Sequence, residues 1–202
     1  MANIMALSRK QEEREERKKL ILNGALRVFK SKGLDHATMD EIAQESDFGK
    51  ATLYYYFKSK EEIFNTILIN GWITLWDGIE EIVIDEITPR KKFIKIIKKI
   101  IEMINVDRPL YEFLFAAPHS SVKDNGQEPE WKQYQSKLIN TLHQLIQSGI
   151  EIDEFPNIDS QMTLKALGHI FHGMVFLGKD RDNITEQDVE DLFRQFIMKN
   201  GK

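Results

Sequence analysis

The chain has 202 residues, 42% apolar and 30% charged, enough for one large domain or for a small and a medium one. It has no cysteine, which excludes a disulfide scaffold, a thiolate metal site and a cysteine nucleophile, and fits a reducing cytoplasm. The net charge of −4 is uneven: residues 1–60 hold 12 Lys and Arg against 9 Asp and Glu, and the remainder 16 against 23, so a mildly basic head precedes an acidic body.

The opening stretch, MANIMALSRKQEEREERKK, has no apolar segment of the kind a secretory leader carries. No apolar run approaches the length of a membrane span. The first predicted helix places Ile21, Leu22, Ala25, Leu26 and Phe29 on one stripe, with Glu13 and Arg17, and Glu15 and Lys19, as i,i+4 pairs on the solvent side. Gly33 is expected to end it as a C′ residue. Thr38 and Glu41 form a capping box for a short second helix reaching Ser46. After Asp47 and Phe48, a third helix runs from Gly49 to Tyr56. Ser59 and Glu62 repeat the capping device and open a long fourth helix through Trp72 and Trp76 toward Ile84.

Beyond this point, helical periodicity continues without strand alternation or internal repeat. Pro89 opens a segment with Phe93, Ile96, Ile97, Ile100, Ile101 and Ile104 on its apolar face, and Pro109 opens another. Residues 118–129 read as a loop. A helix from Trp131 to Ser148 is expected to stop at Gly149, and two more, Ser160–Leu177 and Thr185–Met198, close the chain. The fold class is all-α, with about nine helices: a three-helix head over residues 1–60 and a larger helical domain over 61–202.

Helix, tight turn, helix over Thr38–Tyr56 has helix-turn-helix spacing. A helix turns by about 100° per residue, which divides the third helix into two sides. Leu53, Tyr56 and Phe57 fall across the axis from Ala51, facing inward toward Ile42 and Ala43. Tyr54 and Tyr55 flank Ala51 on the outer side, and Thr52 lies toward it. An exposed tyrosine beside a lysine offers a ring to sugar or a thymine methyl and a hydroxyl to phosphate. Lys50 in the first turn, Lys60 at the start of the next helix and Thr38 at its own helix start are candidate phosphate ligands. Surface tyrosines on a plain helical cap are the bland alternative.

The segment TMDEIAQESDFGKATLYYYFKSKEEIF resembles the DNA-binding head of the TetR/AcrR family of bacterial transcription regulators, with a close match over roughly residues 14–65. The resemblance implies that Lys50, Ala51, Thr52, Tyr54 and Tyr55 line a major groove, with Thr38, Tyr56 and Lys60 near phosphates and Gly49, at the helix start, among the DNA-binding residues. The family usually has Gly where this chain has Asp47, a residue that tolerates the left-handed conformation. It usually has Ser or Thr at the N-cap where this chain has Gly49, which supplies no side-chain oxygen.

The resemblance further implies a cytoplasmic homodimer that binds double-stranded DNA, a body that takes a small-molecule effector, and repression relieved when the effector swings the long helix. Trp72, Trp76, Phe93, Met103, Tyr111, Phe115, Trp131 and Tyr134 are candidate pocket residues, with His119 and His143 as polar groups; each large side chain is more often plain core. Gly168, His172, Val175, Phe176, Leu192, Phe193 and Phe196 are candidates for the dimer surface. The glycines would let a partner helix approach, at about 1 kcal/mol each relative to alanine. His169 and His172 at i,i+3 lack a third ligand in view, so no metal is expected, and no cofactor. No catalytic spacing stands out, so the chain is not expected to be an enzyme. The alternative is a helical ligand-binding or adaptor protein whose head no longer binds DNA.

Overall fold

The computed structural model describes residues 2–116, 128–177 and 185–197. His119, most of the 118–129 loop, Met198, and the side chains of Val189, Phe193 and Phe196 lie outside the described residues. Among the described residues there are nine α-helices, one π-helical turn and no strand. They are α1 (Ala2–His36), α2 (Met39–Glu45), α3 (Lys50–Tyr56), α4 (Lys60–Ile84), α5 (Pro89–Val106), α6 (Arg108–Ala116), α7 (Trp131–Glu151), α8 (Ser160–His172), the π-turn Gly173–Leu177, and α9 (Glu186–Ile197). Two compact units result: α1–α3 with α4 up to Asn70, and α4 from Gly71 onward with α5–α9.

The head is built as its sequence dictates. Ile21, Ala25, Val28 and Phe29 of α1 are buried with Ile42 and Ala43 of α2, Leu53 and Phe57 of α3, and Ile63 and Phe64 of α4. The Phe29 and Phe64 rings meet edge to face at 5.6 Å. Gly33 breaks the helix where the sequence placed a C′ residue, although one more helical turn, included in α1, follows it. Its φ of 75° and ψ of 168° suit glycine alone, and the further turn ends at His36. Among the predicted surface pairs, Glu15 meets Lys18 at 3.4 Å instead of Lys19.

In the body, the isoleucine face of α5 (Ile96, Ile97, Ile100, Ile101, Ile104) is buried as expected, and Phe93 packs edge to face on Phe155. Gly149 corrects the sequence-based expectation. It does not end α7, which continues to Glu151. A Cβ there would lie within 2.3 Å of the Phe155 ring, so glycine is needed to seat that ring against the helix. The chain reverses afterwards, with Asp153 at φ 65° and Glu154 and Phe155 donating their N–H groups to the Gly149 carbonyl at 2.8 and 3.1 Å. The predicted helix 160–177 also changes character: α8 ends at His172 and widens into the π-turn, whose Val175 carbonyl accepts from Arg108 at 2.8 Å.

Candidate nucleic-acid interface

Two capping devices and one glycine place the short helix α3. Thr38 Oγ1 accepts from Glu41 N–H at 3.3 Å, and the Glu41 carboxylate accepts from Thr38 N–H at 3.0 Å, so the predicted capping box is present. Lys32 of α1 also bonds to this carboxylate, at 2.5 Å. At the far end of α2, Arg27 holds both the Glu45 carboxylate and the Glu45 carbonyl. Just past the second anchor α1 comes into close contact with the backbone at the end of α2. A Cβ on Gly24 would lie 2.8 Å from Ser46 Cβ and 2.9 Å from its backbone nitrogen. The turn then passes through Asp47 at φ 58°, the left-handed conformation anticipated where the family prefers glycine.

Lys32 first, and then Thr38, hold the Glu41 carboxyl below its ordinary value of 4.5. Its contribution to stability is therefore present above that value and lost as pH falls through the depressed folded one. An acid titration of head stability should show this loss in the wild type, and a diminished loss in Glu41→Gln.

The third helix is anchored at its back and open in front. Leu53 is fully buried and Phe57 nearly so, whereas Tyr54 and Tyr55 are 54% and 72% exposed. Lys50, Ala51 and Thr38 are exposed as well, and Thr52 is half-buried. Tyr56, expected to face inward, is half-buried and packs edge to face on Tyr55 at 5.1 Å. Gly49 is the N-cap with no side-chain bond, and a side chain there would meet open space. The Lys50 ammonium lies 2.5 Å from the exposed Asp40 carboxylate, a surface pair that an approaching phosphate must displace.

Lys60 is placed differently from the other candidates. Its ammonium donates to the carbonyls of Leu34, Asp35 and Ala37 at 2.8, 3.0 and 3.0 Å, satisfying the end of α1. Ser59 accepts from Glu62 N–H at 3.2 Å, but the Glu62 carboxylate returns to Lys58 N–H, one residue before the predicted partner. Removing the Lys60 ammonium in Lys60→Met should lower head stability by about 2 kcal/mol, read from a denaturant midpoint. An unchanged salt dependence of DNA binding would give Lys60 a purely structural role; a fall of about 0.9 in slope would restore its phosphate contact.

Residues 21–67 match the family model for bacterial regulatory proteins of the tetR family. The match begins at Ile21, a fully buried residue of α1, and takes in the whole helix-turn-helix. The head of this chain, residues 21–67, is that of the TetR family.

Among relatives, the Bacillus subtilis (strain 168) protein named as uncharacterized HTH-type transcriptional regulator YfiR is 26% identical over 76% of this chain and 75% of its own length. The Staphylococcus epidermidis regulator IcaR, named as a negative transcriptional regulator of the biofilm operon icaADBC, is 38% identical over 50 residues, covering 25% of this chain and 27% of its own. The crystal structure of AibR in complex with isovaleryl coenzyme A and operator DNA has the same fold, with a TM-score of 0.75 at 17% identity over 89% of this chain and 97% of that one.

Beyond this head, the pocket candidates of the body separate into groups. Trp72 packs edge to face on Phe115 at 5.6 Å, Phe115 lies 5.6 Å from Phe176, and His172 lies 5.3 Å from Phe176. The sequence assigned Phe176 and His172 to the dimer surface; the structure puts both rings in this aromatic chain, with Phe176 and Val175 buried inside the protomer. Trp76 bonds to Glu80 at 3.1 Å, and the Lys137 ammonium sits 3.6 Å from its ring centre. Met103 packs onto the bare backbone of Gly78, and Phe93 serves the core with Phe155. Tyr111 is buried, which with nearby Asp107 pushes its hydroxyl up to about 12. Tyr134 is half-buried. Trp72 and Trp131 are buried with indole N–H groups that find no acceptor among the described residues. His143 Nε2 lies 3.0 Å from Ser160 Oγ, and His169 Nδ1 2.7 Å from the Lys165 carbonyl. Among the described residues no group of three metal-ligating side chains forms, and no helix is long and apolar enough to cross a membrane.

Sequence reasoning missed Gly24, Arg27 and Asp40. Gly24 carried a readable signal, a glycine inside a helix that costs about 1 kcal/mol unless something must come close. Arg27 and Asp40 carried none, because a long-range pair of surface charges leaves no periodicity.

Proposed function

We propose that this TetR-family transcriptional regulator is a cytoplasmic repressor that binds a roughly palindromic operator as a homodimer and leaves it when a small molecule occupies the helical body. The observation that carries the DNA-binding part is the outward face of α3. Tyr54 and Tyr55 stand exposed beside Lys50, on a seven-residue helix held from behind by Leu53 and Phe57. Such a helix presents ring, hydroxyl and ammonium to a groove without disturbing its own core. One short helix makes little contact, which favours two heads on half-sites about one helical turn, ~34 Å, apart.

The open space beside Gly168 and Gly173 among the described residues supports close approach of a second copy along α8, with the exposed Met162 and Leu177 on the same helical stretch. Leu192 on α9 is half-buried and belongs with this proposed surface. The indole N–H groups of Trp72 and Trp131, without an acceptor among the described residues, support an effector that pairs an apolar body with a hydrogen-bond acceptor, since a buried donor without one costs about 1–3 kcal/mol. AibR, crystallised with an acyl coenzyme A and operator DNA, is consistent with such a pairing of ligands. The name of IcaR supports negative regulation.

The test is binding of the full-length protein to its own upstream region across a salt series. Affinity well above that for random duplex, falling with added salt, supports the proposal; equal affinity for both, or no salt dependence, ends it.

A further inference from the structure

Residues 9–17 of α1 lie outside the packed core of the head. Among the side chains of α1 that the structure describes, from Arg9 onward, Ile21 is the first fully buried one, and Arg9–Arg17 are all exposed. At about 100° per residue, Lys10, Arg14, Arg17 and Lys18 project within about 60° of the line through Ile21. Glu12, Glu15 and Glu16 project about 120° or more away from it, and Glu13 stands at the edge, at about 80°. The stripe that faces the core at Ile21, Ala25 and Val28 therefore continues toward the N-terminus as a row of cations. Acidic side chains lie mostly on the reverse face, mixed there with Arg9 and Lys19. Lys18 meets Glu15 at 3.4 Å, whereas Lys10, Arg14 and Arg17 form no ion pair among the described residues.

The packing of α2 on α1 shows where this row points. The start of α2 meets Lys32 through Glu41, and its end meets Arg27 through Glu45 and Gly24 through Ser46. The helices are thus antiparallel, and the turn leading to Lys50 lies toward the N-terminal half of α1. The cationic row runs past that turn on the side where α2 and α3 pack, and Lys10 lies about 17 Å along the axis from Ile21. We infer that Lys10, Arg14 and Arg17 grip the phosphate backbone of the duplex flanking the sequence read by α3. The partner is DNA by charge complementarity: one face of the rod is cationic and the other is not, so the rod lies against a polyanion in one orientation only. This inference rests on the proposed DNA-binding reading and adds a sequence-independent contact to it.

The test uses the full-length protein and a duplex it selects from a random pool, with affinity measured from low to high salt. In the variant Lys10→Gln/Arg14→Gln/Arg17→Gln, the slope of log affinity against log salt should fall by about 2–3, about 0.9 per phosphate lost. Between about 50 and 200 mM salt the wild type would then lose roughly 40-fold more affinity than the variant. The loss should be alike on selected and random duplex, thermal unfolding should be unchanged, and Arg14→Lys/Arg17→Lys should keep the wild-type slope. Glu16→Gln, on the reverse face, should not weaken binding. A triple variant with the wild-type slope overturns the inference while leaving α3 as the reader of DNA. A wild type that selects no duplex from the random pool, or binds random duplex equally well, overturns the operator-binding reading itself.

Discussion

Replacing Lys50 and Tyr54 together with alanine is expected to lower operator affinity roughly 30- to 1,000-fold, the effect of about 2–4 kcal/mol lost at two contacts. Both side chains are exposed and neither supports the core, so the melting temperature of the chain should stay where it is. The lysine half of the effect should be the smaller, because the Lys50 ammonium must leave Asp40 to meet a phosphate. The tyrosine half can be divided further. Tyr54→Phe keeps the ring and loses the hydroxyl, so it separates stacking from hydrogen bonding. Fluorescence anisotropy with a labelled duplex measures the double variant, the two single alanine variants and Tyr54→Phe. Wild-type affinity in the double variant, with folding intact, would remove α3 as the DNA-reading element.

A second large effect is expected at Gly24, through folding rather than contact with DNA. A Cβ there meets Ser46 at its Cβ, nitrogen and Cα, at 2.8, 2.9 and 3.0 Å. Ser46 cannot yield easily. Its N–H and Oγ both bond to the Ile42 carbonyl, and Asp47, already left-handed, follows directly. Gly24→Ala should cost a net of about 1–2 kcal/mol, since relief from the poor helix propensity of glycine offsets part of the clash. Gly24→Val adds branching and should cost about 3 kcal/mol. Because the displaced backbone leads straight into α3, DNA affinity should fall with stability. Urea unfolding followed by circular dichroism gives the midpoint. An unchanged midpoint in Gly24→Val would mean that α1 and α2 are not in backbone contact.

Local signals made the head legible. The capping box at Thr38, the breaks at Gly33 and Asp47, and the inward trio around Leu53 each follow from the conformational preference of one residue or from a 3.6-residue period. The outward placing of Tyr54 and Tyr55 follows from the same period. What stayed hidden depends on partners far apart in the chain. Lys60 reads as one more surface cation until α1 brings three carbonyls to it. Gly149 reads as a helix stop until Phe155 folds back over it. Phe176 and His172 read as outward-facing until the widened turn at Gly173 rotates Phe176 inward toward Phe115. A π-turn has no dependable signature in a single sequence, so a wheel drawn through residues 160–177 loses its phase there.

The aromatic residues are divided between the two units in a way that makes each optically distinct. All three tryptophans, Trp72, Trp76 and Trp131, belong to the body, while three of the five tyrosines sit in α3. Excitation at long ultraviolet wavelengths therefore samples the body alone. Duplex added to the protein should quench emission from the head tyrosines, and an effector should act on the indoles, so the two events can be timed separately in an unlabelled sample.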